Sequence, residues 1–256
     1  ASERRINMLF MSKNIILIPS RLAAKRLPNK PLLKIDGRSI IMYVYDKAIK
    51  CKIGKVFVAT GDKKILDEVK NNGGKSIKTI QKHETGTDRI YEALNNSKIT
   101  NLKYIINLQG DEPLININDI KNLVKVTIKN KCNLTTLACK ISNKNIYKNK
   151  NVVKVVTSNK ILYNKPTSAK NFLRLVKEKN KKNIYHHVGI YMYKLSLLKK
   201  FVKLNQTVNE KKQKLEQLRA IDNNMKIHVV LAKNKPLGID TKQDYMEIKK
   251  LMEYKN

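Results

Sequence analysis

Short apolar runs alternate with longer amphipathic stretches from residue 15 onward. Six of the runs have the length of strands, and the first three are almost continuously apolar, which is typical of strands buried on both faces. These runs cover residues 15–19, 56–60, 104–108, 135–139, 152–156 and 227–232. Apolar positions with helical spacing occur in residues 39–49, 63–72, 88–95, 119–130 and 242–254. The alternation predicts an α/β fold with a mostly parallel twisted sheet, helices on both faces, and a ligand site at the carboxyl ends of the strands.

The alternation breaks in the middle of the chain. Between residues 135 and 204 the segments are shorter and mixed, so we interpret 135–204 as an inserted mixed α/β subregion of a single domain spanning residues 14–256. Residues 1–13 lack the apolar core of a secretory signal and are interpreted as an N-terminal extension. The sequence also lacks the roughly 18 consecutive apolar residues of a membrane helix. We therefore expect no membrane insertion and a cytoplasmic protein.

The charge balance is strongly basic, with 54 Lys and Arg against 20 Asp and Glu, a formal net charge of +34. Such a charge favours a surface that binds polyanions. Only eight of the basic residues are Arg, however, and Lys, Asn and Ile, whose codons are rich in A and T, supply 104 of the 256 residues. We attribute the excess Lys to this compositional bias and expect no specific nucleic-acid partner. A polyanion-binding protein without catalytic activity remains the alternative from another functional class.

A basic loop follows the first predicted strand. Ser20 opens a segment that contains Arg21, Arg26 and Lys30 together with two prolines. Three cations and several free backbone N–H groups at the carboxyl end of a strand suit a triphosphate, which carries about four negative charges. The glycine and lysine spacing of a P-loop is absent, so this loop would be a different kind of phosphate site.

Two acidic segments occupy comparable positions later in the chain. The third apolar strand ends in Gln109-Gly110-Asp111-Glu112-Pro113, and Asp240 follows Gly238 just before the last predicted helix. Asp111 alone could cap a turn, and Asp240 alone could cap the helix. Together they predict a site for Mg²⁺, which prefers one or two carboxylates with water and phosphate oxygens in its other positions.

These segments, in this order, resemble the motifs of the 3-deoxy-manno-octulosonate (Kdo) cytidylyltransferase family over nearly the whole chain from residue 14 onward. The matching motifs are the basic loop at 19–31, Thr-Gly-Thr-Asp-Arg at 85–89, Gln-Gly-Asp-Glu-Pro at 109–113, Asn-Val-Val-Lys-Val-Val at 151–156, the His to Tyr segment at 187–193, Leu-Glu-Gln-Leu-Arg at 215–219 and Gly-Ile-Asp-Thr at 238–241. Seven motifs in register make accidental similarity improbable, and the last four distinguish this family from other sugar nucleotidyltransferases.

The resemblance implies a Rossmann-like fold, a homodimer, and the reaction of CTP with Kdo to give CMP-Kdo and pyrophosphate. By the same resemblance 135–204 would serve sugar binding and dimerisation. Arg21, Arg26 and Lys30 would hold phosphates, and Asp111 and Asp240 would bind Mg²⁺. The implied CTP contacts are Ser20, Arg21, Lys30, Thr85, Gly86, Thr87, Arg89, Gly110 and Asp111. The implied sugar-acid contacts are Gln109, His187, Tyr191 or Tyr193, Glu216 and Gln217.

One family feature is missing. After Val-Lys-Val-Val the family usually has a segment that contains an Arg, whereas here Tyr163 is followed by Asn164, Lys165 and Pro166. We expect Lys165 to replace that Arg as a weaker, monodentate contact to the sugar carboxylate, because an ammonium lacks the forked geometry of a guanidinium. The change leaves open a cytidylyltransferase for another keto sugar acid, such as a sialic acid or an amino-substituted Kdo.

Overall fold

The computed structural model describes residues 13–23, 26–80, 82–176, 182–235 and 237–254. Its strands are β1 (Asn14–Pro19), β2 (Lys34–Ile35), β3 (Arg38–Ser39), β4 (Lys55–Thr60), β5 (Ser76–Lys78), β6 (Tyr104–Asn107), β7 (Leu134–Cys139), β8 (Lys154–Thr157), β9 (Thr167–Leu173), β10 (Ile184–Lys194) and β11 (His228–Leu231). Its helices are α1 (Ile40–Cys51), α2 (Lys63–Asn71), α3 (Gly86–Asn96), α4 (Ile117–Lys129), α5 (Asn145–Lys148), α6 (Leu195–Phe201), α7 (Val208–Gln213), α8 (Gln217–Asp222) and α9 (Lys242–Glu253), with a 3₁₀ turn at Lys30–Leu32.

The chain is a mixed α/β protein that divides into two compact units. The first unit contains residues 1–117 and 236–256, and the second contains residues 118–235. The predicted subregion 135–204 lies inside the second unit. The predicted N-terminal extension lies outside the described residues, except for Lys13.

Parallel strands form the sheet of the first unit, in the order β5-β4-β1-β6. Ile16 in β1 pairs with Val56 on one side and Ile106 on the other, and both neighbours run parallel to it. The apolar residues of β1 are fully buried, as the sequence pattern predicts. Gly54 permits the close approach of β4 to β1, because a Cβ atom at this position would lie 2.2 Å from the carbonyl oxygen of Asn14.

An apolar cluster anchors the loops at one end of this sheet. Its buried members come from the basic loop, the β2–β3 hairpin, α1, the segment before α9, and α9 itself: Leu27, Ile35, Ile40, Ile239 and Ile248. The Tyr43 hydroxyl donates to the carbonyl of Ile35 at 2.9 Å, and the Tyr245 hydroxyl donates to that of Lys34 at 2.5 Å. Arg26 and Asp240, which are next to Leu27 and Ile239 in the sequence, are therefore anchored by the same packed core.

The second unit has a different strand arrangement, in the order β10-β7-β11-β9-β8, with β8 also paired to β10. β7 and β11 are parallel, whereas β10 with β7, β11 with β9, and β8 with β9 and β10 are antiparallel. The expected mostly parallel sheet thus describes the first unit and not the second. Strand β10 is irregular, because its register against β7 shifts between Val188 and Tyr191.

Three buried charged side chains of the second unit have hydrogen-bond partners. The Arg219 guanidinium donates to both carboxylate oxygens of Glu210, at 2.8 and 2.5 Å, and lies 4.8 Å from the centre of the Phe201 ring. The Lys154 ammonium, which has no exposed surface, donates to the carbonyls of Asn149 (2.8 Å), Val152 (2.7 Å) and Arg174. Its three N–H groups thus meet three acceptors, as a buried charge requires.

Within the described part of the chain, no helix has the length and apolar character needed to cross a membrane.

Candidate active site

A cluster of four charged side chains lies in the first unit. The Lys30 ammonium is 2.6 Å from Oδ2 of Asp111 and 3.4 Å from Oδ1 of Asp240, and the Arg26 guanidinium is 3.3 Å from Oδ2 of Asp240. The backbone N–H of Ile239 donates to the carbonyl of Asp111 at 2.9 Å, which ties two of the contributing segments together. The three segments singled out in the sequence therefore meet at one place.

The start of α9 explains why the Asp240 carboxylate faces this cluster. Thr241 is the N-cap residue: its hydroxyl accepts from the backbone N–H of Asp244, and the Asp244 carboxylate accepts from that of Thr241. This capping box satisfies the helix end without the Asp240 side chain. The alternative role of Asp240 as the helix cap is therefore wrong, and its carboxylate is available to Lys30 and Arg26.

Glu112 adds a third carboxyl group beside the cluster. Its Oε2 atom is buried and has no hydrogen-bond partner among the described residues. Burial, followed by the nearby carboxylates of Asp111 and Asp240, raises the pKa of Glu112 to about 8. The described chain contains no group of three or more His, Cys, Asp or Glu side chains arranged to hold a metal. A cation here would therefore have two carboxylate ligands, with Glu112 adding negative charge nearby whenever it is ionised.

The beginning of the basic loop is fixed by backbone contacts. The N–H of Ser20 donates to the carbonyl of Ala59 at 3.0 Å, while the Ser20 hydroxyl is buried without a partner among the described residues. Arg21, the next residue, is exposed. Gly110 packs against this strand end, because a Cβ atom there would lie 3.3 Å from the carbonyl oxygen of Pro19. A larger residue would make tight contacts here, including one of 3.1 Å from its Cβ atom to Cδ1 of Ile41, so its neighbours would have to shift slightly.

The Thr-Gly-Thr-Asp-Arg motif forms the beginning of α3. The Thr85 hydroxyl caps the helix by accepting from the backbone N–H of Asp88 at 3.2 Å. Gly86 and Thr87 then form the first turn, and the Thr87 side chain is fully buried. The Arg89 guanidinium is also buried, and it donates to the Thr79 hydroxyl at 2.7 Å and to the Ile80 carbonyl at 3.0 Å. These bonds give Arg89 a role in holding residues 79–80, which the sequence pattern did not indicate.

The predicted sugar-acid residues of the second unit are mainly buried and aromatic. The His187 ring lies 5.4 Å from that of Tyr191, which lies 5.9 Å from that of Tyr193, measured between ring centres. Phe172 meets the other side of His187 edge to face, with ring centres 5.1 Å apart. Burial lowers the pKa of His187 to about 3 and raises that of Tyr191 well above its usual value. Both side chains are therefore neutral at physiological pH.

The remaining predicted sugar-acid residues have more varied surroundings. Glu216, half-buried just before α8, lies close enough to Tyr191 to raise the pKa of its phenol, and the neighbouring Gln217 is buried. Lys165 is exposed in the segment that joins β8 to β9. Gln109 is half-buried and belongs to the first unit, immediately beyond β6. The structure thus groups His187, Tyr191 and Glu216 and leaves Lys165 on the surface.

Three side chains with distinctive surroundings were not identified from the sequence. They are Glu112, whose Oε2 atom is buried, the buried Lys154, and Thr136, whose hydroxyl oxygen lies 2.9 Å from Nε2 of His187. Glu112 and Lys154 stand inside motifs that were recognised, but a motif does not tell which of its side chains will be buried. Thr136 has no sequence signal, since a threonine in an apolar strand resembles any other β-branched residue.

Comparisons with known proteins show the family of the chain. A cytidylyltransferase family model matches residues 15–227. The 3-deoxy-manno-octulosonate cytidylyltransferases of Brucella anthropi and Brucella canis are each 39% identical to the chain, over 93% of its length and 95% and 94% of their own.

Solved structures give the same result. The structure of CMP:2-keto-3-deoxy-manno-octonic acid synthetase complexed with CTP is 32% identical, with a TM-score of 0.85 over 95% of this chain and 100% of that one. Apo UDP-glucose pyrophosphorylase, with 15% identity and a TM-score of 0.68 over 94% of this chain and 98% of its own, shares the fold alone.

Proposed function

The chain belongs to the 3-deoxy-manno-octulosonate cytidylyltransferase family, and from this premise we propose that it converts CTP and Kdo to CMP-Kdo and pyrophosphate. The observation that supports this most directly is the meeting of Lys30, Asp111 and Asp240 from three separate segments. A hydroxyl of the sugar acid would attack the α-phosphorus of CTP in line with the departing pyrophosphate. Such a transfer depends on alignment and charge neutralisation more than on covalent help from the protein.

The basic loop has the charge needed to bind the triphosphate. Lys30 and Arg26 are placed beside carboxylates that limit their movement, and the exposed Arg21 extends the positive surface from the end of β1. In this proposal the three cations bind phosphate oxygens and stabilise the charge on the leaving pyrophosphate. The Ser20 hydroxyl, which lacks a partner among the described residues, would provide a neutral hydrogen bond to the same ligand.

The two aspartates fit a magnesium ion. Their carboxylates reach the same Lys30 nitrogen, so both can approach a single cation, and hard carboxylate oxygens are the ligands that Mg²⁺ prefers. Asp111 and Asp240 would hold the ion, with water and phosphate oxygens filling its other positions. When bound, Mg²⁺ supplies positive charge that lowers the cost of charge development on the phosphates. Lys30, which lies beside both carboxylates, would contribute its positive charge to the phosphates of the nucleotide.

The remaining CTP contacts are assigned by family resemblance and their positions. Thr85, Gly86 and Thr87 form the first turn of α3, whose free N–H groups are suited to hydrogen-bond acceptors. Gly110 keeps Asp111 close to the end of β1. Because the Arg89 guanidinium is buried against residues 79–80, its contribution to CTP binding would be the shape of that segment.

The sugar-acid site is assigned mainly to residues of the second unit. The Tyr191 hydroxyl is buried and has no hydrogen-bond partner among the described residues. An unsatisfied buried hydroxyl costs about 1–3 kcal/mol, and a bound polyhydroxylated acid would remove that cost. His187, Tyr193, Glu216 and Gln217 complete the proposed set in this unit, with Lys165 as the candidate cation for the carboxylate. Gln109 keeps the sugar role that the resemblance gives it.

Three further features are part of the proposal. The parallel order β5-β4-β1-β6 supports the Rossmann-like assignment for the first unit. The homodimer, with residues 135–204 contributing to it, and the cytoplasmic location stay predictions from the sequence.

Pyrophosphate release tests the proposed function. The protein is mixed with CTP and Mg²⁺, and pyrophosphate is measured with Kdo, with a sialic acid, with an amino-substituted Kdo and with no acceptor. We expect release only with Kdo, together with formation of CMP-Kdo. Release with another keto acid in preference to Kdo would overturn the assigned substrate. Failure of every acceptor to support release would favour the non-catalytic alternative.

A further inference from the structure

The Thr136 side chain lies in the middle of β7, opposite the irregular part of β10. Thr136 pairs with Tyr191 and the next residue, Leu137, pairs with Val188, so Gly189 and Ile190 are extra residues on the β10 side. Extra residues in one strand leave backbone groups without ladder partners. The Thr136 hydroxyl oxygen lies 2.7 Å from the carbonyl of Ile190 and 3.2 Å from that of Val188. It therefore lies where it can donate its hydrogen to a carbonyl of the bulge.

The same hydroxyl oxygen also lies 2.9 Å from Nε2 of His187. A hydroxyl has one hydrogen to donate, and a carbonyl oxygen can only accept. The short distance to Ile190 assigns the hydroxyl hydrogen to that carbonyl. Nε2 of His187 must therefore donate its own hydrogen to a lone pair of the hydroxyl, because otherwise two lone pairs would face each other. In a neutral imidazole the other nitrogen, Nδ1, is then the acceptor.

The surroundings of His187 fit this arrangement. Its ring is held between Phe172 and Tyr191, and burial keeps it uncharged, with a pKa of about 3. The structure shows no hydrogen bond to Nδ1 from any residue it describes. The ring is thus fixed in orientation, has one nitrogen occupied by Thr136, and presents a free acceptor on the other.

We propose that Thr136 is a positioning residue that fixes His187 with its proton on Nε2, so that Nδ1 accepts a hydrogen bond from a hydroxyl group of the sugar acid. The assignment of His187 to the sugar-acid site rests on the proposed function, whereas the tautomer rests on the Thr136 contacts alone. The bulge in β10 is part of the arrangement, because the Ile190 carbonyl determines the direction of the Thr136 hydroxyl.

Nitrogen NMR of the protein labelled in its histidines tests the tautomer directly, because protonated and unprotonated ring nitrogens differ in chemical shift. The His187 signals would be identified by their loss in a His187→Gln variant. At pH 7 we expect a neutral ring protonated on Nε2. A proton on Nδ1 in the unmodified protein would overturn the proposal without any substitution at Thr136.

Three variants test the positioning role. Thr136→Val keeps the shape of the side chain and removes the hydroxyl, and we expect a mixed or reversed tautomer. The KM for the sugar acid should rise about tenfold, as for the loss of one well-placed hydrogen bond, and the KM for CTP should remain unchanged. Thr136→Ser should restore both the tautomer and the KM. The equally buried neighbour Thr135, which takes no part in the described His187 hydrogen bonds, gives the control Thr135→Val.

The outcomes separate this proposal from the proposed function. If the tautomer changes in Thr136→Val but the sugar-acid KM does not, the positioning role toward substrate is wrong. If both remain as in the unmodified protein, the whole proposal is wrong. If no keto sugar acid supports pyrophosphate release in the unmodified protein, the proposed function fails, while the NMR result still decides whether Thr136 sets the tautomer.

Discussion

The proposed sites of the two units differ in their electrostatic character. In the first unit, Lys30, Asp111, Asp240 and Arg26 are charged and partly accessible, with 51% of the Arg26 side chain exposed. In the second unit, His187 and Tyr191 are buried and neutral. A triphosphate with its metal is recognised by charge and needs access to water, whereas a sugar is recognised by oriented neutral donors and acceptors. In this proposal one chain combines a strongly charged nucleotide with a sugar acid that carries a single carboxylate among neutral hydroxyl groups.

The largest effect is expected from removing a carboxylate of the first unit. Asp111→Asn and Asp240→Asn each delete a negative charge from the proposed magnesium site while preserving side-chain size. We expect kcat/KM at limiting Mg²⁺ to fall by about 100- to 1,000-fold, because metal-ion charge stabilisation contributes several kcal/mol. The measurement is a Mg²⁺ titration of CMP-Kdo synthesis.

The matched control is Asp67→Asn, which makes the same change on an exposed position of α2. It should leave activity unaltered, and thermal unfolding should show that all three variants are folded. Full activity of either site variant at limiting Mg²⁺ would refute the metal-ligand assignment.

The next effect, on stability, is expected from acidifying the second unit. Burial lowers the pKa of His186 to about 4 and that of His187 to about 3. Both values lie below the ordinary histidine pKa of about 6.5, so the unfolded chain takes up protons at a higher pH than the folded protein does. The stability that depends on these histidines being neutral is therefore complete above pH 6.5 and is lost as the pH falls through 6.5 toward 4. We expect the unfolding free energy to drop by about 4 kcal/mol between pH 7 and pH 5, with about half of the loss from each histidine.

Urea denaturation at pH 7, 6 and 5 checks this prediction. The carboxylates of the protein titrate in the same range, so the informative quantity is the difference between the unmodified protein and a His186→Gln/His187→Gln variant. The variant should lose less stability on acidification. Equal losses in the two proteins would show that these histidines are not protected from protonation in the folded state.

The smallest effect concerns the exposed cation assigned to the second unit. Because Lys165 is exposed, Lys165→Ala should raise the KM for the sugar acid only a few-fold, which corresponds to at most about 1 kcal/mol, and should leave that for CTP unchanged. Steady-state kinetics with each substrate varied in turn measures both values. Lys160→Ala, an exposed lysine in the same segment between β8 and β9, is the control.

An unchanged sugar-acid KM in Lys165→Ala would mean that the carboxylate is held elsewhere. Arg174 is a poor substitute, because its guanidinium already donates to the backbone carbonyls of Gln213, Lys150 and Lys214. Backbone N–H groups would then be the next candidates.

The first unit was the easier part to predict from sequence. Its strands β1, β4 and β6 are nearly continuous apolar runs, and β1 and β6 are followed by residues with distinctive chemistry. Parallel strands place such residues at one sheet end, so the sequence groups Lys30 with Asp111, and Asp240 joins them as the second carboxylate that suits Mg²⁺. In the second unit, β9 and β10 were not predicted, because their polar and aromatic residues do not follow a simple alternation.

The sequence alone determined which chemical groups are present and in what order: cations after the first strand, carboxylates after later ones, and motifs shared with a known family. Tertiary structure alone decided which of these groups are charged, paired or neutral. Asp240 is released from capping by Thr241, Glu112 acquires a raised pKa, and Lys154 is surrounded by three carbonyls. The proposed orientation of His187 by Thr136 also depends on tertiary contacts. Burial and hydrogen-bond direction depend on residues brought together from distant parts of the chain, and local sequence does not record those contacts.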